Sequence, residues 1–511
     1  MIDGAPSALG VAPRVDGADR DPTPRGQRDF AIGLAVITAF GLALRLAYVW
    51  FVWKDRELGG DPIFYHVAAN LLADGRGFIN PYLSFEGLSV PAADHPPLYT
   101  AYLGLFSFLG VRSVVGHMVV SCLVGAAAVA VTGLLGRRVA GPRVGLIAAV
   151  LVAVYPNTWR YDAMVLSETL VGLVVVLTLL FAFQFWDHPG TGRIALVGLG
   201  LALCALARSE LLLLSLFLVV PLVLLRRERS WRTRLSWITV AAAVCIAALA
   251  PWVGHNLARF DRPVLLSGQL ESTLTVANCD TTYYGPLLGY WDYACGVRIL
   301  DRRGVTTAQQ DGTVEDVLLE ETLDYMSEQR DRIPVVVAVR FARIVNLWSP
   351  TNAVDLDAGV DGHPVAVAWA AHVTFWPIAF AAAIGALILR RRHVPVFALL
   401  APLAVVLFTA IFIYSTPRFR VAAEGALCVL AAVAMSALWG RIRPQAGSNA
   451  PARPSTGARH PLAVETAPSE ASGSVSDTSS LVSHRGASGT GVGRYRWVHQ
   501  RVRSLRTLVP T

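Results

Sequence analysis

Apolar residues along this chain gather into ten long runs, joined by short polar links and by two much longer ones. The first run, Phe30 to Trp53, has 24 residues. That is enough to cross a hydrocarbon core of about 30 Å and too long for the apolar stretch of a secretory leader. No small-residue cleavage pattern follows, so it reads as a retained helix. Further runs lie near 114–136, 144–157, 164–186, 194–207, 210–225, 236–253, 365–389, 394–414 and 421–439. Several fall short of the ~20 residues a span needs, so tilted or partly re-entrant segments are expected among them. The pattern predicts an all-α polytopic membrane protein of about 10–11 transmembrane helices.

Arginine placement orients these runs. Arg25 and Arg28 precede the first. Arg137, Arg138 and Arg143 follow the second, and Arg193, the group Arg226 to Arg234, Arg390 to Arg392, and Arg441 with Arg443 recur at later links. With both termini in the cytoplasm, every cluster falls on the inner side, as the positive-inside bias requires. Two loops then face outward, 54–112 and 254–364. The apolar stretch 97–110 is short, and counting it as a span would invert the later charges. It therefore reads as an outward-facing interfacial helix. The tails, 1–28 and 441–511, lack apolar periodicity and are expected to be disordered and cytoplasmic around a membrane domain at 29–440.

Composition agrees with this map. The chain is 54% hydrophobic and 16% charged, with a mean hydropathy of +0.50, well below the charged content of a soluble domain. The net charge of +8 is arginine charge, Lys54 being the only lysine. These arginines sit in short links and build no basic face, which excludes nucleic acid as a partner; membrane lipid is the expected one. Cys122, Cys204, Cys245 and Cys428 lie in apolar runs, while Cys279 and Cys295 share the large outer loop. Their oxidising location and the aromatic, Gly/Pro-rich stretch between them suggest a disulfide worth ~3 kcal/mol, the alternative being two free thiols.

An ionisable residue inside a span costs ~2.5–3.5 kcal/mol even on a lenient scale. Here the set is small: Arg45, Glu168, Arg208 with Glu210, and Arg418 and Arg420 with Glu424. All fall near the outer ends of their runs, on the side of Asp61, Asp94 and His95. A translocation path would place polar groups near the midplane, so a transporter or flippase is disfavoured. A cavity opening at the outer leaflet fits better, wet on one side and lipid-lined on the other. Such a cavity suits a substrate with a polyprenyl tail and a polar head. Snorkelling to the headgroups accounts for Arg45, but short carboxylates such as Glu168 and Glu424 do not reach far.

The order Gly60-Asp61-x-x-x-Tyr65, Leu71-Leu72-Ala73-Asp74-Gly75-Arg76-Gly77-Phe78 and His95-Pro96-Pro97-Leu98-Tyr99 resembles the glycosyltransferase-C superfamily. Within it, the likeness is to the group containing protein O-mannosyltransferases and the lipid A aminoarabinose transferase. Leu166-Ser167-Glu168, Ala207-Arg208-Ser209-Glu210, Pro251-Trp252-Val253-Gly254-His255-Asn256 and Pro417-Arg418-Phe419-Arg420 continue the likeness in order. Pro62, Ser209 and His255 depart from it. The resemblance implies transfer of a sugar from a polyprenyl-phosphate donor to a hydroxyl of an envelope glycan, lipid or protein, usually with inversion.

A phosphate leaving group dispenses with the general acid of a glycosidase. What remains is a base for the acceptor hydroxyl and cations for the departing phosphate. Asp61 matches the family's catalytic aspartate, although an aspartate before proline also suits a helix N-cap. Tyr65 lies one turn later on the same face. Asp94 could orient the acceptor or help hold a divalent cation, and His95 could bind phosphate or serve as a turn residue. Glu168 could complete the acidic group. Arg418 and Arg420 are the expected phosphate clamp, with Arg208 behind them. No His/Cys/Asp set has zinc-like spacing, so no metal requirement is readable. The alternative is a non-catalytic membrane protein that binds a polyprenyl lipid or an envelope partner through the 254–364 loop.

Overall fold

The computed structural model describes residues 23–305 and 313–442. The tails expected at 1–28 and 441–511 therefore lie almost wholly outside the described residues. The chain folds as α1 (Pro24–Tyr48), α2 (Asp61–Ala73), α3 (Leu98–Phe108), α4 (Val114–Ala140), α5 (Pro142–Val154), α6 (Glu168–Asp187), α7 (Thr191–Ala207) and α8 (Trp231–Leu257). The long 254–364 loop then contributes α9 (Leu270–Ala277), α10 (Ala294–Arg303), α11 (Thr313–Glu328), α12 (Ile333–Ile344) and α13 (Pro350–Gly359). It ends with α14 (Val365–Arg391), α15 (Val396–Phe412) and α16 (Val421–Ile442). Among the described residues the only β feature is a single bridge between Ile79 and Pro91.

Six helical stretches are long and apolar enough to cross a membrane: Pro24–Trp53, Val114–Ala140, Glu168–Asp187, Trp231–Leu257, Val365–Arg391 and Pro417–Trp439. The other apolar runs fold as helices of 10–17 residues, which cross only if tilted into a locally thinned bilayer or paired end to end. α3 is one of these. Its 11 residues extend roughly 16 Å at 1.5 Å per residue, too short to span.

α4, α6 and α16 are the most enclosed spans, whereas α1, α8 and α14 leave most of their apolar surface uncovered. Ile32, Val36, Phe40, Ile246, Val373 and Phe380 point outward from those three, a surface that suits lipid and would be costly in water. Helix contact relies on small residues. A Cβ on Gly385 would collide with the Leu430 carbonyl, so α14 and α16 meet backbone to backbone, as small residues allow in membranes. The large loop is stapled by the Cys279–Cys295 disulfide, with Cα atoms 6.2 Å apart. It docks on the bundle through Arg340, which donates to the Ile411 carbonyl at 3.1 Å.

Buried charge inside the bundle is paired. Arg45, read from the sequence as snorkelling, is instead fully buried, and its Nε donates to Asp162 Oδ2 at 2.6 Å. The reason is its partner: an uncompensated charge has to reach water, while a paired one stays. Asp162 lies between two apolar runs and went unnoticed as a membrane-depth acid.

Candidate active site

α2 begins where the chain leaves a left-handed glycine. Gly60, at φ 57°, is the N-cap and offers no side chain, so Asp61 occupies the first helical position with Pro62 behind it. The capping role allowed for Asp61 is thus not the one it takes, and its carboxylate is free for tertiary contacts. Those come from the far end of the chain. Arg418 Nη2 donates to Asp61 Oδ2 at 2.6 Å, and its Nε donates to Glu168 Oε1 at 2.5 Å. The same Glu168 oxygen accepts from Arg208 Nη1 at 2.8 Å, and Arg208 Nε reaches Glu210 Oε1 at 2.6 Å.

Five charged side chains from the starts of α2 and α6, the end of α7 and the turn before α16 thus form one chain, Asp61–Arg418–Glu168–Arg208–Glu210. Glu168 is enclosed, but Asp61 and Arg418 keep 26% and 18% of their side-chain surface open, so the network has a wet end. The network also borders a small pocket lined by Glu168, Arg208, Arg418 and the apolar Val171, Val405 and Val406. Polar cations at one wall and branched aliphatic side chains at the other match an anionic head on an apolar tail.

The turn leading into α6 is strained. Val165, fully buried, has φ 58°, a region that a β-branched residue rarely adopts and that costs roughly 1–3 kcal/mol. It sets the direction from which Glu168 enters the network. Glu168 Oε2 is buried with no hydrogen-bond partner among the described residues.

Beside Asp61, His95 Nε2 lies 3.6 Å from Oδ1, too long for a hydrogen bond. Tyr65 is stacked on His95 at 4.9 Å between ring centroids, and Phe64 meets the same imidazole edge-on at 4.8 Å. Burial pushes the Tyr65 phenol up, and the Asp61 charge adds to it. Burial alone would also raise the Asp61 carboxyl, yet the Arg418 guanidinium and His95 hold it well below the usual carboxylate range.

Of the sequence-predicted site residues, Asp61, Tyr65, His95, Glu168, Arg208 and Arg418 converge. Asp94 stands aside, accepting a long 3.4 Å contact from Gln269. Arg420 is the correction. It is fully buried, pairs with Glu424 at 2.6 Å, bonds Asn346 Oδ1 at 3.2 Å and covers the Phe375 ring. The expectation that Arg418 and Arg420 flank one anion assumed that residues two apart face together. Pro417–Arg420 is a 3₁₀ turn, in which residues two apart point about 120° apart, to different sides.

Sequence reasoning also missed a group behind the network: Arg160 paired with Asp357, and Asp361 and His363 beyond it. Burial and the neighbouring Asp357 push the Asp361 carboxyl up to about 7, against the pull of Arg418 and Arg160. Burial, with Arg160 and Arg56 near, holds the His363 imidazole neutral. The signal was present as Asp357-x-x-x-Asp361-x-His363, in a loop that no apolar pattern singled out.

A family model described as dolichyl-phosphate-mannose-protein mannosyltransferase matches residues 94–255. Archaeal oligosaccharyltransferase AglB from Archaeoglobus fulgidus, solved with an inhibitory peptide and a dolichol-phosphate, superposes over 82% of this chain with 16% identity and a TM-score of 0.50. The chain has the glycosyltransferase-C fold. It spans about half the length of AglB, of which 51% is covered. ArnT from Cupriavidus metallidurans, solved with undecaprenyl phosphate, aligns over 81% of this chain and 79% of its own, at 14% identity and a TM-score of 0.40. No curated protein matches the sequence. At such identities the likeness speaks for the fold, and the chemistry has to be argued from the side chains.

Proposed function

We propose that this protein is an integral-membrane glycosyltransferase that moves a sugar from a polyprenyl-phosphate donor to a hydroxyl of a cell-envelope acceptor, with inversion, at the outer face of the cytoplasmic membrane. The observation that carries the reading is Arg418 bridging Asp61 to Glu168 at the head of an apolar-walled pocket.

The acceptor oxygen attacks the anomeric carbon, the bond from that carbon to the phosphate oxygen breaks, and the hydroxyl proton passes to Asp61. The lipid phosphate leaves as an anion against Arg418 and Arg208, whose forks suit phosphate oxygens. Without donor, Arg418 holds Asp61 ionised but makes it a weak base. When the donor phosphate takes that guanidinium, Asp61 loses its partner and gains a negative neighbour, and its proton affinity rises. Donor binding thereby turns a salt bridge into a base, with Glu168 and Glu210 keeping the guanidinium groups in place.

The decisive experiment uses purified protein with a polyprenyl-phosphate sugar. Asp61→Asn is expected to lower transfer by about 10²–10⁴, the range of general-base catalysis, and to leave lipid-phosphate binding in place. Undiminished transfer would replace this reading with a protein that binds the lipid and does no chemistry.

A further inference from the structure

The turn between α13 and α14 carries chemistry that the transferase reading leaves unused. Asp357, Asp361 and His363 each offer one ligating atom within 4.8 Å of the other two. Asp357 and His363 are buried, at 8% and 3% exposure. The imidazole is held on one side only. Its Nδ1 lies 3.1 Å from the Tyr48 hydroxyl, and the rings of Trp53 and Tyr161 stand edge-on to it. Its Nε2 is buried and has no hydrogen-bond partner among the described residues. One ring nitrogen fixed by a hydroxyl and the other left bare is how a ligating histidine is oriented.

The acids tell the same story. One oxygen of Asp357 accepts from Arg160, which leaves the other free. Among the described residues Asp361 has no hydrogen bond or ion pair, though it sits beside the Asp357 carboxylate. Arg160 pairs with Asp357 and Arg418 stands near Asp361, yet neither bonds the Asp361 carboxylate, which leaves it open to a ligand.

We infer that Asp357, Asp361 and His363 form a binding site for a divalent cation of the manganese type. Two carboxylate oxygens and one imidazole suit such an ion better than the sulfur-rich closed shell of structural zinc, and three protein ligands leave coordination positions open. A bound divalent ion would add two positive charges to the group, which favours an anionic oxygen as a further ligand. Asp361 also feels the Arg418 charge, so the ion would stand beside the proposed phosphate site. Its use there rests on the transferase reading; its existence does not.

The test is a Mn²⁺ titration of the full-length protein in nanodiscs, followed by electron paramagnetic resonance. One Mn²⁺ per chain is expected, with nitrogen hyperfine coupling from an imidazole. Asp361→Asn and His363→Gln should each weaken binding tenfold or more, and Asp61→Asn should not. Three results would overturn the site: no bound ion up to millimolar Mn²⁺, a bound ion without nitrogen coupling, or loss of the ion in Asp61→Asn with retention in the other two. Should a variant fail to fold, the nitrogen coupling in the native protein decides. Transfer by Asp61→Asn is a separate readout, so failure of the transferase reading leaves the Mn²⁺ result standing.

Discussion

Arg418 and Arg420 stand two residues apart in one turn, and their surroundings are opposites. Arg420 is sealed, with one dedicated acid four residues on, a backbone carbonyl at Ile344 and an aromatic ring beneath it. Arg418 is shared between Asp61 and Glu168, which come from two other helices, and stays partly open. A closed pair holds helices together. An open network has partners that can be exchanged, and exchange is what a phosphate site needs. The same contrast separates Arg45–Asp162, which is wholly enclosed, from Arg208, which borders the pocket.

Stability separates the two arginines most directly. Arg420→Ala leaves Glu424 buried and unpaired and should cost ~3–5 kcal/mol, seen as a large fall in Tm in detergent. Arg418→Ala should shift Tm far less and abolish transfer. Equal losses of Tm would mean that both arginines are structural. The sharper form replaces both partners. Arg420→Met with Glu424→Leu removes the buried charge altogether and should recover much of the lost stability, since apolar replacements of buried pairs are often neutral or better. Arg418→Met with Glu168→Leu should fold and stay inactive.

A subtler effect separates the two through pH. The Asp61 carboxyl is held low in the folded protein, so its salt bridge contributes stability above its unfolded value near 4 and loses that contribution only as pH falls toward the folded value. Asp61 therefore stays ionised across the neutral range, and kcat/KM should show no acid limb from it above about pH 4. Removing the guanidinium in Arg418→Gln should move that limb upward in the residual activity. A limb that stays in place would uncouple Asp61 from the rate.

Much of this architecture was legible before any coordinates. The helical runs follow from apolar length, the short α3 from its few apolar residues, Asp61 from the family resemblance, and Glu168, Arg208 and Arg418 from being ionisable residues at the ends of runs. What escaped notice depends on direction and on distant contacts. The turn type at Pro417–Arg420 decides that Arg420 faces inward, and two arginines in a string of letters give no turn type. Arg45 looked like a residue that reaches for water because Asp162 lies 117 positions away. The Asp357–Asp361–His363 group gains meaning only when α1 brings Tyr48 against it and leaves one imidazole nitrogen bare.

The smallest expected effect concerns His95, whose sequence reading left phosphate binding and a turn role side by side. Its ring is clasped by Phe64 and Tyr65, while its contact to Asp61 is long and part-exposed. A part-exposed ion pair at such a distance is worth under ~1 kcal/mol. His95→Phe keeps the aromatic stack and removes only that contact, so kcat/KM should change by less than about fivefold, with Tm unmoved. Arg418 is the group that does most to hold Asp61 ionised. If His95→Phe instead cost a hundredfold, the imidazole would be touching the reacting groups themselves, and the wet end of the network would be catalytic on both sides of Asp61.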